Sequence, residues 1–294
     1  MTISMKEETS PSCSKGRTHT WTSADGLRLA GESWGDPLGA PVILLHSSGQ
    51  TRHAWSGIGH ALGAAGFHAV AFDARGHGES DWSPTGNYSQ IAMVRDLERV
   101  ATLFDGRRPM LVGAGLGGGT SLLAVGEGFL DAAALVLVNI APCVEPHGVV
   151  RLQSLMRRPD GFESPDEAVD AISRYRRNPK NGFVSSNVSR SLRHDGDGRY
   201  RWNWDPHFLA WPRDLDRRHA RYSACARRLK LPTLLVRGGN SDIVSEAGVH
   251  EFLKLCPHAE YVNVAAAGHM VAGDRNDVFG EIAAQFLGRH IRPV

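Results

Sequence analysis

Two stretches of this chain end in side chains that can exchange a proton. "LLVRGGNSDIVSE" passes from an apolar run into a loop holding Asp242, and "YVNVAAAGHMVAGD" passes from another run into a glycine-flanked loop holding His269. A carboxylate that stabilises the charged form of an imidazole makes that imidazole a general base, worth about 10²- to 10⁴-fold when it is positioned. A third stretch, "MLVGAGLGGGTSLL" from Met110 to Leu123, reads as a strand, a glycine turn and a helix start. Such a turn holds either a nucleophile or a phosphate. Its centre is Gly115, which has no oxygen or sulfur with which to attack.

The turn can be read in two ways. Gly113, Gly115 and Gly118 spell G-x-G-x-x-G, the dinucleotide fingerprint, but that motif wants an acidic residue about twenty positions on, and the next strand ends in Asn139. Several strands also precede it, whereas the fingerprint opens its own βαβ unit. The other reading is the G-x-S-x-G elbow, with Gly113 and Gly117 as flanks and Gly115 at the presenting position. An elbow needs its acid and then its histidine later in the chain, and Asp242 and His269 follow in that order. Each lies just past a strand's C-terminal end, the edge at which open α/β sheets bind ligands.

The elements that must position these residues alternate. Apolar runs at "PVILLH", "HAVAFD", "PMLVG", "ALVLVN", "PTLLVRG" and "AEYVNV" are separated by helical patterns such as "IAMVRDLERVATLF" and "VFGEIAAQFLGRH". The alternation predicts an α/β fold with a mainly parallel sheet covered on both faces. Near the start, "THTWTSADGLRLAGESW" predicts a hairpin turning at Asp25-Gly26. From about Glu145 to Trp211 the rhythm breaks, with a capped helix at "SPDEAVDAISRYRR" and then polar and aromatic text, "RHDGDGRYRWNWDPHF". The expected organisation is a flexible leader over 1–17, a core over 18–144 and 216–294, and a helical cap over 145–215 that shapes a pocket and excludes water.

Composition narrows the partners. A chain of 294 residues with a formal net charge of +2 lacks the clustered Lys and Arg that nucleic acid requires. No run is apolar enough to span a bilayer, and the opening "MTISMKEETSPSCSKGR" has no apolar stretch after its charges, so no membrane partner and a cytoplasmic location are expected. Cys13, Cys143, Cys225 and Cys256 lie far apart, against a zinc site or a disulfide framework. The expected partner is a small-molecule substrate, with no cofactor and no metal.

The strings "VILLHSSGQTRHAW", "AVAFDARGHGESDWSP", "LVGAGLGGG", "LLVRGGNSDIVSE" and "AAAGHMVAGD" together resemble the α/β-hydrolase superfamily, in its capped, epoxide-hydrolase, esterase and C–C-hydrolase-like branches. The resemblance implies a mainly parallel, eight-stranded sheet with helices on both faces, and that Asp242 is the acid, His269 the base, and the Ser48 and Leu116 N–H groups the oxyanion donors. Ser47 and His53 are candidate substrate contacts, while His46 and the "DARGHGES" loop are structural supports. Gly115 stands where this family carries Ser, Cys or Asp, and Ser47 where it usually has glycine. Ser48, Thr120 and Ser121 are poor substitute nucleophiles, because Ser48 is needed for its amide and the other two lie a turn into the helix; Ser47 is likewise set aside. The implied activity is hydrolysis of an ester, lactone or C–C bond, or an elimination or isomerisation, by His269 and Asp242 without a covalent serine intermediate. The alternatives are a pseudo-hydrolase that binds a small molecule without turnover, an inactivated Ser-to-Gly form of a serine hydrolase, and a dinucleotide-binding oxidoreductase.

Overall fold

The computed structural model describes residues 16–176, 185–210, 214–265, 267–269 and 277–290. The core strands are β1 (Arg17–Thr22), β2 (Arg28–Trp34), β3 (Ala40–Leu45), β4 (Phe67–Phe72), β5 (Met110–Ala114) and β6 (Ala134–Val138). Next come a short pair, β7 (Leu192–His194) and β8 (Tyr200–Trp202), and then two more core strands, β9 (Thr233–Gly238) and β10 (Glu260–Val264). The helices are α1 (Ser56–Ala64), α2 (Gln90–Ala101), α3 (Leu116–Gly126), α4 (Pro146–Met156), α5 (Pro165–Arg176), α6 (Ser185–Arg190), α7 (His207–Ala210), α8 (Leu215–Arg228), α9 (Glu246–Leu255) and α10 (Asp277–His290).

The eight core strands form one sheet in the order β1-β2-β4-β3-β5-β6-β9-β10. β1 and β2 form the antiparallel hairpin expected around Asp25-Gly26, and β2 runs antiparallel to β4; the remaining pairs are parallel. Alternation along each strand sends side chains to opposite faces. Ile43, Leu45, Leu111, Leu135, Leu137 and Leu235 pack on one face with α2, α3, α8 and α9. Val42, Leu44, Met110, Val112, Val136 and Val236 pack on the other with α1 and α10. Strands buried on both faces read as continuous apolar runs, which is why they stand out in the sequence.

Helix α3 presses unusually close to the sheet because its first turns are glycine. A Cβ on Gly113 would lie 2.6 Å from Gly117 and Gly118 backbone, one on Gly117 2.4 Å from the Leu45 Cβ, and one on Gly118 2.6 Å from the Ile140 side chain. The glycines that mimic a dinucleotide fingerprint are thus used in packing. Thr120 and Ser121 spend their hydroxyls on the Leu116 and Gly117 carbonyls of the same helix.

Between β6 and α8 lies an insertion with its own apolar cluster, including Phe162, Ile172, Trp202, Trp204 and Phe208. α5 is the helix expected at "SPDEAVDAISRYRR", its start capped by Ser164 Oγ, which accepts from the Glu167 N–H at 3.3 Å. The expected helical cap is not all helix: the polar text after α5 holds a strand pair before α7. The β7–β8 hairpin turns through Asp195-Gly196-Asp197-Gly198, with Gly198 at φ +81°, a conformation the D-G-D-G string supplies at little cost. At the N-terminus β1 begins at Arg17, so Arg17, placed in the leader from sequence, belongs to the sheet; the rest of that leader up to residue 15 lies outside the described residues.

Candidate functional site

At the end of β5 the chain turns through Gly115 with φ +47° and ψ −106° and enters α3. This is a strained conformation for any residue with a Cβ, costing about 1–3 kcal/mol, and glycine adopts it freely. Main-chain bonds fix the turn on both sides: Gly115 N–H donates to the Val138 carbonyl at 3.0 Å, and Gly117 N–H to the His46 carbonyl at 3.1 Å.

The loop after β3 lies across this turn. A Cβ built on Gly115 would fall 2.3 Å from Ser47 Oγ, so the Ser47 hydroxyl occupies the space into which a residue-115 side chain would project. Ser47 is 2% exposed, and its hydroxyl bonds no group among the described residues. Its backbone, by contrast, is fully engaged. The Ser47 N–H donates to Gln50 Oε1 at 3.1 Å, and its carbonyl accepts from the Gln50 N–H at 3.0 Å and from His46 Nδ1 at 2.8 Å. His46 Nε2 accepts from the Ala74 N–H at 2.9 Å, which places the ring proton on Nδ1 and makes His46 a neutral strut; burial holds its pKa below the ordinary histidine value.

In the buried runs "LLHSSG" and "GAGLGG", Ser48 and Leu116 are the partly exposed residues. Their N–H groups donate to no acceptor among the described residues. Where this loop meets the insertion its neighbours are apolar. A Cβ on Gly49 would stand 3.2 Å from the Trp204 ring and 3.5 Å from Met156 Cε, and Leu116 packs against the insertion's own cluster. His53, in the turn Arg52–Trp55 that follows, is half-buried, and burial together with the charge of Arg52 lowers its pKa. Behind the loop, buried Asp73 pairs with Arg52 and accepts from the Glu79 N–H at 3.0 Å, and His77 lies 4.9 Å from the Phe208 ring, so the "DARGHGES" loop is built as a support.

The loops after β9 and β10 are locked together. Gly239 N–H donates to Val264 O at 2.8 Å, and Asn240 N–H to Ala267 O at 2.9 Å. Asn139 ties both to β6: its Oδ1 accepts from the Gly238 N–H at 2.7 Å and its Nδ2 donates to Gly268 O at 3.1 Å. It does so from the left-handed region, at φ +50°, which Asn tolerates better than most residues. Gly115 is bonded to Val138, Val138 precedes Asn139, and Asn139 holds the residue before His269, so Gly115 and His269 belong to one cluster at the C-terminal edge of the sheet. Sequence reasoning used Asn139 only as a missing acid; an amide, which donates and accepts at once at a strand end, was the signal for this role.

His269 is 8% exposed, and burial, partly offset by the charge of Asp242, lowers its pKa to about 4. Its Nδ1 stands 3.4 Å from Ser241 Oγ, which also accepts from the Val244 N–H at 3.2 Å. The Asp242 carboxylate is engaged elsewhere: it pairs with Arg151 of α4 and accepts a long bond from the Tyr175 hydroxyl of α5 at 3.4 Å. Arg151 also donates to the Tyr175 carbonyl at 2.6 Å and stacks over its ring at 4.8 Å. Helix α4 reaches Asp242 through Gly148, where a Cβ would lie 2.0 Å from the Asp242 carbonyl oxygen. The bond between Asp242 and the histidine expected from sequence is therefore replaced by bonds to the insertion, and the charge of Asp242 acts on His269 across space. Among the described residues no group of three or more His, Cys, Asp or Glu is arranged to hold a metal ion, and no helix is long and apolar enough to cross a membrane.

Comparisons with known proteins agree with this architecture. The non-heme chloroperoxidase CPO-A1 of Kitasatospora aureofaciens is 26% identical over 293 residues, covering 91% of this chain and 98% of the relative. The esterase Rv0045c of Mycobacterium tuberculosis is 27% identical over 259 residues, covering 84% of this chain and 82% of the relative. A crystal structure of an alpha/beta hydrolase from Novosphingobium aromaticivorans superimposes with a TM-score of 0.77 at 24% identity, over 94% of this chain and 99% of that one. The model of the alpha/beta hydrolase fold matches residues 40–275. With that match spanning most of its length, the chain belongs to the α/β-hydrolase fold family.

Proposed function

We propose that the protein is a cofactor-independent hydrolase of small, largely apolar molecules carrying an ester, a lactone or a cleavable C–C bond. The observation that carries this reading is the turn at Gly115. Its strained backbone is kept although the residue that normally exploits it is gone, and it adjoins two unspent amides and a buried imidazole. In this reading the Ser48 and Leu116 N–H groups stabilise a developing oxyanion, each worth roughly 3 to 4 kcal/mol in a dry site. His269, neutral at pH 7, is the general base on the attacking oxygen, and Asp242 stabilises its charged form. No acyl-enzyme forms on residue 115. The insertion acts as a cap, with Met156, Trp204 and Leu116 giving the substrate an apolar lining. Similarity to an esterase over most of the chain supports the reaction class.

Assay of p-nitrophenyl esters of graded acyl length tests this. Turnover by the wild-type protein that disappears in His269→Ala supports the proposal, and turnover unaffected by that change refutes it. A second reading, a pocket that binds without converting, is favoured by one observation: the Asp242 carboxylate is spent on Arg151 and Tyr175 and makes no bond to the base. A tightly held ligand recovered unchanged after prolonged incubation supports that alternative; product formation eliminates it.

A further inference from the structure

Ser47 and Gly115 behave as an exchanged pair. The place that a side chain at 115 would fill is taken by the Ser47 hydroxyl, 2.3 Å from where a Cβ would sit. A side chain at 115 would therefore require the Ser47 hydroxyl to swing out of its present position, since the Ser47 Cβ itself stands 3.2 Å from that Cβ. Ser47 is also held as a reactive group must be held. Its N–H and carbonyl are clamped by Gln50 and His46, while no hydrogen bond among the described residues ties its hydroxyl down.

We propose that Ser47 Oγ is the nucleophile of this hydrolase, delivered from the loop after β3 to the space that Gly115 leaves open. The proposal rests on the hydrolase reading and replaces the water expected from the sequence. His269 removes the Ser47 hydroxyl proton as Oγ bonds to the acyl carbon, and the resulting oxyanion lies on the Ser48 and Leu116 N–H groups. The bond from acyl carbon to leaving oxygen breaks, and that oxygen takes the proton from His269. A water then repeats the sequence, giving its proton to His269 and its oxygen to the acyl carbon, and Ser47 leaves reprotonated. The net change is ester plus water to acid plus alcohol. Gly115 is what admits the new hydroxyl, by conformation and by space.

A biotinylated fluorophosphonate, with peptide mapping by mass spectrometry, reads the site directly, and p-nitrophenyl butyrate turnover is followed in parallel. Labelling on Ser47, lost in Ser47→Ala together with about a hundredfold or greater fall in turnover, is the expected result. Turnover in Ser47→Ala within about threefold of wild type overturns the proposal while leaving a water-using hydrolase intact. A label on any other residue of the wild-type protein also overturns it. Absence of both label and turnover in the wild type defeats it together with the hydrolase reading. Should Ser47→Ala fail to fold, the double variant Ser47→Gly, Gly115→Ser moves the hydroxyl back to the turn. The label then shifts to residue 115, whereas Gly115→Ser alone gains neither label there nor activity; a gain in that single variant contradicts the exchange.

Discussion

The two halves of the site are built by different means. On the β3 and β5 side the bonds that fix Gly115 and Ser47 directly are main chain or come from neutral side chains: Gly115 to Val138, Gly117 to His46, Ser47 to Gln50 and His46. On the β9 and β10 side the histidine loop is held by Asn139, but the acid is held by charged and aromatic side chains from the insertion, Arg151 and Tyr175. The first half is finished before any ligand arrives. In the second Asp242 is committed to the insertion, so on the proposed reading its competence to support His269 depends on where α4 and α5 sit. Main-chain scaffolding for the proposed oxyanion donors and side-chain scaffolding for the proposed acid is a division that substitutions can break one half at a time.

The largest of these effects is expected from Asn139→Ala, which frees the Gly238 N–H and the Gly268 carbonyl and lets the histidine loop drift. A displacement near 1 Å can cost about a hundredfold in turnover, so kcat should fall by that order with KM little changed. An unchanged kcat would mean that the loop is held by other bonds. Next, Gly115→Ser alone forces a Cβ into a left-handed turn and against Ser47 Oγ. Denaturant titration should show a loss of about 1–3 kcal/mol, and the loss should shrink when Ser47 becomes glycine, since only the conformational strain then remains.

The smallest effect is a displacement in pH. His269 is held neutral by burial, with a pKa lowered to about 4, so the rate should stay flat through the range where an ordinary histidine titrates and fall only as pH drops through about 4. Stability follows the same sign. The unfolded chain gains a proton below the ordinary histidine value that the folded site refuses, so folding free energy is lost as pH falls from about 6.5 towards about 4. Arg151→Ala removes the cation that neutralises Asp242. The carboxylate then favours the imidazolium more strongly, and the acidic limb of the rate profile should move up by about one pH unit. A limb that does not move would show that Asp242 has no electrostatic hold on His269.

Much of this was legible in the sequence, for reasons that the particular elements show. β3 to β6 are buried on both faces and so appear as uninterrupted apolar runs, and the α5 start is marked by Ser164 before Pro165. Asp242 and His269 were singled out by chain order and by their position past strand ends; their catalytic roles belong to the proposal. The β7–β8 hairpin had its D-G-D-G turn in plain view and was masked by the expectation of helices. Ser47 was set aside because no local pattern says that its hydroxyl lies over Gly115; that contact joins two loops through the parallel pairing of β3 with β5. The engagement of Asp242 by Arg151 and Tyr175 was equally hidden, because it depends on how the insertion folds back over the sheet.

The central claim is that a buried neutral imidazole drives chemistry in the space above Gly115. Side-by-side measurement of kcat/KM for a p-nitrophenyl ester by the wild-type protein and by His269→Ala tests it most directly. A fall of about 10²- to 10⁴-fold, with the circular dichroism spectrum unchanged, is the predicted result. Equal rates in the two proteins would contradict it.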